Sequence, residues 1–445
     1  MIKAFIDKLL CSKGHGGVLA RGAVGAFIVE VAGAGILFSL HIMLARLLGT
    51  EQYGIYVYAL TCINILTMFC LLGFHTSLVR FVAEYNIKKQ WGLLRGILRR
   101  SNQIVLCFSF IVSLIGIVVV RTLSSQMTNE MLITFYFSFI LLPFVAFCRL
   151  REASLRAFKR IVQSKSLMQI IRPVLTGLIV IILFLLLGDK LKARHVVAAN
   201  LAAVLCVVLT GTFFLHKLLP GKIMKTKPDF YSKKWLKISL PLLLVAGMHI
   251  ILKRTDIVML GALKGSEQAG IYSAASRIAD LVVFALIAIN SILAPMISEM
   301  YHTGQKQQLQ KIVTIAAWVI FAFTLGVSTF LVIFGKFVLS LFGLEFIKAL
   351  VPLLILLFGQ IVNSLSGSVG LIMSMSGRQK MLGLIISSNA AANIILNFAL
   401  IPILGITGAA ISTAATMITR NIAMLIYVKS QLGINTTVIG SWKNA

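Results

Sequence analysis

Apolar residues run along this chain in long blocks, each closed by a short polar stretch rich in Lys, Arg, Gly or Pro. Blocks of roughly 18 or more mostly apolar residues can cross a bilayer core of about 30 Å as helices. The pattern predicts twelve, near 23–45, 54–80, 102–120, 131–148, 166–187, 196–216, 237–261, 269–297, 312–334, 350–374, 382–402 and 406–428. Ile104 to Val120 is almost unbroken Ile, Val, Leu, Phe and Ser. Before the tenth block, Lys336–Lys348 reads either as a loop or as a short interfacial helix. Lipid offers backbone groups no partner, so helices fill these blocks. The expected fold is an all-α polytopic membrane protein.

The blocks also repeat. Gly49-Thr50-Glu51-Gln52-Tyr53-Gly54-Ile55-Tyr56 returns 216 positions later as Gly265-Ser266-Glu267-Gln268-Ala269-Gly270-Ile271-Tyr272. Over Met43–Ala59 against Met259–Ala275, 10 of 17 positions are identical. Six predicted helices separate the copies, and an even number preserves direction. The halves are therefore expected to run parallel, as two six-helix lobes that rock against each other. The expected organisation is an N-terminal lobe (1–220), a solvated cytoplasmic linker (221–236) and a C-terminal lobe (237–445).

Composition agrees. Hydrophobic residues make up 59% and charged residues only 12% of the 445 residues, where a soluble protein carries about 25% charged residues. The first 22 residues hold Lys3, Lys8, Lys13 and Arg21 but no cleavable signal pattern, so the first helix is expected to stay in the membrane. Of the 42 Lys and Arg, 29 fall in alternate segments that include the N-terminus, and 8 fall in the opposite loops. That asymmetry puts both termini in the cytoplasm and the chain in the cytoplasmic (inner) membrane. The net charge of +29 is thus an orientation signal, with some attraction to anionic lipid, and no nucleic acid is expected. The cysteines show no metal-ligand spacing and are read as packing residues. No Walker loop, HExxH or DxD motif appears, so neither a cofactor nor an enzyme activity is expected.

Two stretches carry a family resemblance. Ala45-Arg46-Leu47-Leu48-Gly49, Glu51-Gln52-Tyr53-Gly54 and Leu78-Val79-Arg80-Phe81-Val82-Ala83-Glu84 resemble the opening of the polysaccharide-exporter flippases. Ser239-Leu240-Pro241, Asp256, Met259-Leu260-Gly261 and Gly270-Ile271-Tyr272 resemble the seventh and eighth helices of the same family. These Wzx-like flippases share a fold with the MATE multidrug exporters and the lipid II flippase. The resemblance implies a polyprenyl-pyrophosphate-linked oligosaccharide turned from the cytoplasmic to the outer leaflet, with glycan-assembly proteins as partners. A MATE-like cation-coupled drug antiporter is the alternative.

Ionisable residues inside the blocks name the candidate site, because a charge within a span usually faces a cavity or a partner. The seventh block carries His249, Lys253, Arg254 and Asp256, and the eighth carries Arg277 and Asp280. Lys253 and Arg277 are each twelve residues from the turn at Gly265, about 18 Å along their helices, hence at equal depth. Lys253, Arg254, Arg277 and, in the twelfth block, Arg420 are the candidate substrate-binding residues, with Arg420 alternatively snorkelling to the cytoplasmic surface. The competing reading pairs Asp256 with Arg277 and Asp280 with Lys253 as structural bridges. Glu30, the acidic residue deep in the first lobe, is expected either to couple transport to H⁺ or Na⁺ together with Asp256 and Asp280, or to sit protonated and bonded to a neighbouring helix. Arg172 reads as an interface anchor, and Arg80 with Glu84 as a helix-end ion pair. Asn389, Asn393 and Asn397, with Asn363, Ser364, Ser366, Ser368 and Asn290, either line a sugar path or pack helices together.

Overall fold

The computed structural model describes residues 15–438 apart from 220, 222, 224 and 225, and within these it is helical with no strand. Eleven helices among the described residues are long and apolar enough to cross a membrane. They correspond to the twelve expected blocks, because α1 (His15–Cys70) runs through the first two. It breaks at Gly49, whose φ of 71° and ψ of 177° are non-helical. Gly265, at the same place in the second copy, has φ 91° and ψ 164°. Side chains rarely adopt that backbone, so both copies hold glycine where the chain leaves one helix for the next. The repeat is one of conformation as well as of sequence.

The second block ends earlier than expected. The chain turns at 71–73 and restarts as α2 (Phe74–Ile87). Then follow α3 (Trp91–Thr122), α4 (Asn129–Ala157), α5 (Ile161–Ser166), a π-helical turn (Leu167–Ile171), α6 (Arg172–Leu187) and α7 (Ala193–Leu218). The π turn immediately precedes Pro173, which has no N–H to donate, so the widened turn absorbs the missing bond. The next run is α8 (Ser232–Leu263), α9 (Ser266–Asp280), α10 (Phe284–His302) and α11 (Lys306–Ser340). A 3₁₀ turn (Leu344–Ala349) settles the ambiguity at 336–348 and leads into α12 (Leu350–Leu365). The tenth block does not run to 374. It stops at Leu365, and α13 (Val369–Met375) is separate. The Thr436 side chain donates 2.8 Å to the Ser366 carbonyl and the Val438 N–H bonds that of Leu365, so the broken turn is satisfied from elsewhere. The last helices are α14 (Gln379–Leu404) and α15 (Ile406–Leu432).

The helices are amphipathic in a sense suited to lipid. In α3 the buried positions include Ser101, Val105, Ser109 and Ser113, while Phe110, Ile111, Leu114 and Val118 are exposed. In α11 Thr324 and Ser328 are buried, and Phe330, Ile333 and Phe337 face out. Small and polar residues pack inward and large apolar ones face outward, as lipid-embedded helices require.

By contacts the chain forms two compact units, Met1–Leu48 with Ala59–Gly247, and Gly49–Tyr58 with Met248–Ala445. Within the first, α4 packs on α7 and α3, and α2 on α4. Its core joins Phe74, Leu78, Phe81, Tyr85, Leu94 and Ile97 to Trp235, whose indole N–H donates 3.0 Å to the Tyr85 hydroxyl. The segment expected as a solvated linker is therefore partly docked. Asp229 N–H bonds the Gly92 carbonyl at 3.0 Å, the Arg95 guanidinium reaches the Thr226 carbonyl at 2.6 Å, and Trp235 is buried. Within the second unit, α14 packs on α15, α12 on α15, and α11 on α12.

Candidate functional site

The second unit contains both copies of the repeated turn, and they touch. A Cβ at Gly54 would meet the Ser266 carbonyl at 2.0 Å, and one at Gly270 would lie 2.7 Å from the Gly54 Cα. Only a residue without a side chain permits so close a crossing. Thr50 donates 2.7 Å to Glu345, and the Tyr53 ring meets Phe346 edge-on at 5.7 Å. These contacts hold Tyr53 fully buried against α9, where it hydrogen-bonds Arg277.

Arg277 is the centre of the arrangement. Its nearest electrostatic partners are the hydroxyls of Tyr53 and Tyr56 and a second cation, Arg254. Its buried Nε has no hydrogen-bond partner. Among the described residues no carboxylate lies within ion-pair distance of Arg277, Arg254 or Arg420. The bridge expected between Asp256 and Arg277 does not form. Asp256, 3% exposed, instead accepts from the Tyr272 hydroxyl at 2.6 Å, from its neighbour Ile257 N–H at 2.8 Å and from Thr413 at 3.4 Å. A neutral phenol saturates that carboxylate and leaves the guanidinium over.

The other expected bridge does form. Lys253 Nζ lies 3.3 Å from Asp280, with both side chains partly exposed. Arg420 comes from α15 to the neighbourhood of His249 and Lys253 on α8. The four candidate substrate cations thus fall into two groups, Arg277 with Arg254, and Arg420 with Lys253 and His249. Among the described residues the three guanidiniums, on α8, α9 and α15, have no carboxylate partner, and Lys253 is paired with Asp280.

Glu30 lies elsewhere, in the first unit, and it is not solitary. Lys165 reaches it from α5, and both side chains are about a quarter exposed. This partner stands four helices away in sequence, outside the reach of any pattern along α1. Arg80 and Glu84 do not pair either. Glu84 binds Lys88 at 2.7 Å, and that ammonium holds its carboxyl below the ordinary range. Arg172 bonds Asn200 at 3.1 Å.

The polar uncharged residues pack helices. Asn393 and Asn397 are buried, Asn397 donates to Asn393 at 2.9 Å, and Asn393 donates to Thr416 at 3.2 Å. Thr419 donates to Asn389, and Asn421 to Asn363, so the ladder joins α14 and α12 to α15. Ser368 bonds Asn290. Among the described residues no group of three or more His, Cys, Asp or Glu could hold a metal ion.

Tyr53, Tyr272, Thr413 and Lys165 are the partners sequence reasoning missed. Tyr53 did carry a signal, since it stands where the second copy of Glu-Gln-x-Gly-Ile-Tyr has Ala269.

Comparison with known proteins agrees with this architecture. The family model described as "Polysaccharide biosynthesis protein" matches residues 19–301, and the MatE model matches residues 241–399. The probable low-salt glycan biosynthesis flippase Agl15 of Haloferax volcanii is 21% identical over 94% of this chain and 84% of its own. An uncharacterised membrane protein of Methanocaldococcus jannaschii is 23% identical over 85% of this chain and 78% of its own. Among solved structures, an inward-facing multidrug resistance MATE family transporter superposes with a TM-score of 0.71 at 14% identity. That match covers 94% of this chain and 99% of that one. A transporter of the same superfamily from Pyrococcus furiosus, reported to have a binding pocket of reversed polarity, gives 0.63 at 14% identity, over 94% and 96%. The protein is a multi-pass membrane protein that belongs to the polysaccharide biosynthesis protein family and has the MATE-type fold.

Proposed function

We propose that the protein is a flippase that moves a polyprenyl-pyrophosphate-linked oligosaccharide from the cytoplasmic to the outer leaflet. The observation that carries this reading is Arg277, a guanidinium inside a span with a buried, unpartnered Nε and no carboxylate within reach. A buried charge left unpaired costs several kcal/mol, roughly 3–5 where removal of a partner creates it. Such a group is retained where a ligand of opposite charge completes it. A pyrophosphate does so, with charge-assisted hydrogen bonds that a desolvated site strengthens. Tyr53 holds the guanidinium in place, and Arg254 adds a second positive charge. The same chemistry disfavours a cationic drug. Both termini lie in the cytoplasm and the protein sits in the cytoplasmic membrane, in accord with the Lys and Arg asymmetry. Asp256 is the carboxylate best suited to ion coupling, since it is buried and bonded only by neutral donors. The coupling ion is H⁺ or Na⁺.

The test measures surface glycan and membrane protein level together. Arg277→Ala is expected to abolish surface glycan while protein level stays near normal, and Arg277→Lys to keep part of the export. Because Asp256 is bonded to Tyr272, adding Asp256→Ala to Arg277→Ala is not expected to restore anything. Rescue by that double variant would make Arg277 a structural counter-charge and remove it from the substrate site. Drug efflux that falls with Arg277→Ala while glycan export persists would favour the antiporter.

A further inference from the structure

A cavity of about 520 Å³ opens at the helix ends of the second unit, lined by Lys264, Glu267, Gln268, Lys348, Ile403 and Leu404 among others. The end of α8, the start of α9, the 3₁₀ turn before α12 and the α14–α15 junction all meet there. These are the ends of membrane-crossing helices, so the cavity lies at the level of lipid headgroups.

Three features describe its occupant. Lys264 and Lys348 are exposed, and among the described residues neither forms an ion pair. Glu267 contributes one negative charge, so the lining keeps a surplus of one positive charge, reinforced by the first-turn N–H groups of α9 and α15. Second, the Gln268 Oε1 is buried without a hydrogen-bond donor. It lies over Gly405, where a Cβ would stand 2.9 Å from it. An orphaned acceptor calls for a hydroxyl or N–H from the ligand. Third, Ile403 is 80% and Leu404 45% exposed directly beside the lysines. Apolar side chains next to ammonium groups at a helix end match an acyl chain below and a phosphate above.

We propose that this cavity binds an anionic phospholipid with a hydroxylated headgroup, of which phosphatidylglycerol is the simplest. The lysines take the phosphodiester, Gln268 accepts from a glycerol hydroxyl, and Ile403 and Leu404 meet the chain. The site is separate from Arg277 and does not depend on the flippase reading.

Native mass spectrometry of the purified full chain, titrated with short-chain lipids, reads this directly. The parent is expected to bind one phosphatidylglycerol more tightly than phosphatidylcholine or phosphatidic acid. Lys264→Gln with Lys348→Gln should weaken that binding by about fivefold per lysine, while Lys264→Arg with Lys348→Arg keeps it. Gln268→Leu should erase the preference over phosphatidic acid alone. Equal phosphatidylglycerol binding by the parent and the double Gln variant would overturn the proposal. So would displacement of the lipid by an equal concentration of glycerol phosphate, which would assign the cavity to a free anion.

Discussion

Arg277 has two tyrosine hydroxyls and a second cation for company, where a purely structural arginine would have a carboxylate. Asp256 was available at the neighbouring helix, yet Tyr272 and Thr413 occupy it. Which side chain meets which is decided by a few ångströms of helix rotation. Glu30 shows the same dependence in the first unit. Its pairing with Lys165 predicts that Glu30→Gln leaves an ammonium without its counter-charge and destabilises by roughly 1–3 kcal/mol. Lys165→Met should cost a similar amount, and the double variant should recover most of the loss in thermal unfolding of the purified protein. If Glu30→Gln unfolds like the parent but flattens the pH or Na⁺ dependence of transport, the coupling role returns to Glu30.

At the scale of elements, the breaks carry more information than the helices. Gly49 and Gly265 interrupt α1 and separate α8 from α9 with nearly the same backbone angles, and Gly54 and Gly270 then let the two turns cross at backbone distance. Gly54→Ala is expected to push the Ser266 carbonyl away and lose about 1–3 kcal/mol, as overpacking does. Gly326→Ala is the control. It lies within α11 with open space at its Cβ, so the helix should gain about 0.5–1 kcal/mol. Thermal melts of the two variants in detergent should therefore shift in opposite directions, and a neutral Gly54→Ala would refute the close crossing. The asparagine ladder works alongside these glycines. Asn397 donates to Asn393 and Asn393 to Thr416 between α14 and α15, while the Asn397 Oδ1 is buried without a partner.

For the whole molecule, direction is the property that matters, because the proposed flippase would have to present its site to both leaflets. The basic segments predict reporter fusions at Lys89 and Lys227 on the cytoplasmic side and at Lys192 on the external side. An external signal at Lys227 would change the parity of the spans and with it the parallel relation of the two halves. The eleven candidate spans are consistent with that parity if α1 crosses in two arms on either side of its break at Gly49. One turn of the first half, Gly49–Tyr58, groups with the second unit, and the chain up to Gly247 groups with the first.

Properties that repeat along the chain were legible in the sequence, because lipid imposes them on each segment separately. Span positions, helical class, the internal repeat and the charge asymmetry each depend on a local window, and no distant residue can cancel them. The candidate cations were legible for the same reason, since a charge inside a span stands out wherever it occurs. Partners were not. That Arg277 takes Tyr53, that Asp256 takes Tyr272, and that Lys165 reaches Glu30 depend on helix rotation and on segments far apart in sequence. The docking of 226–235 onto α2 and α3 and the break after Leu365 follow the same rule. Each is stabilised by groups from another segment, Gly92 with Tyr85 in one case and Thr436 in the other. Local hydropathy fixes which residues enter the membrane, whereas hydrogen-bond and charge pairing inside it is a property of the packed helices, and only the tertiary structure decided it.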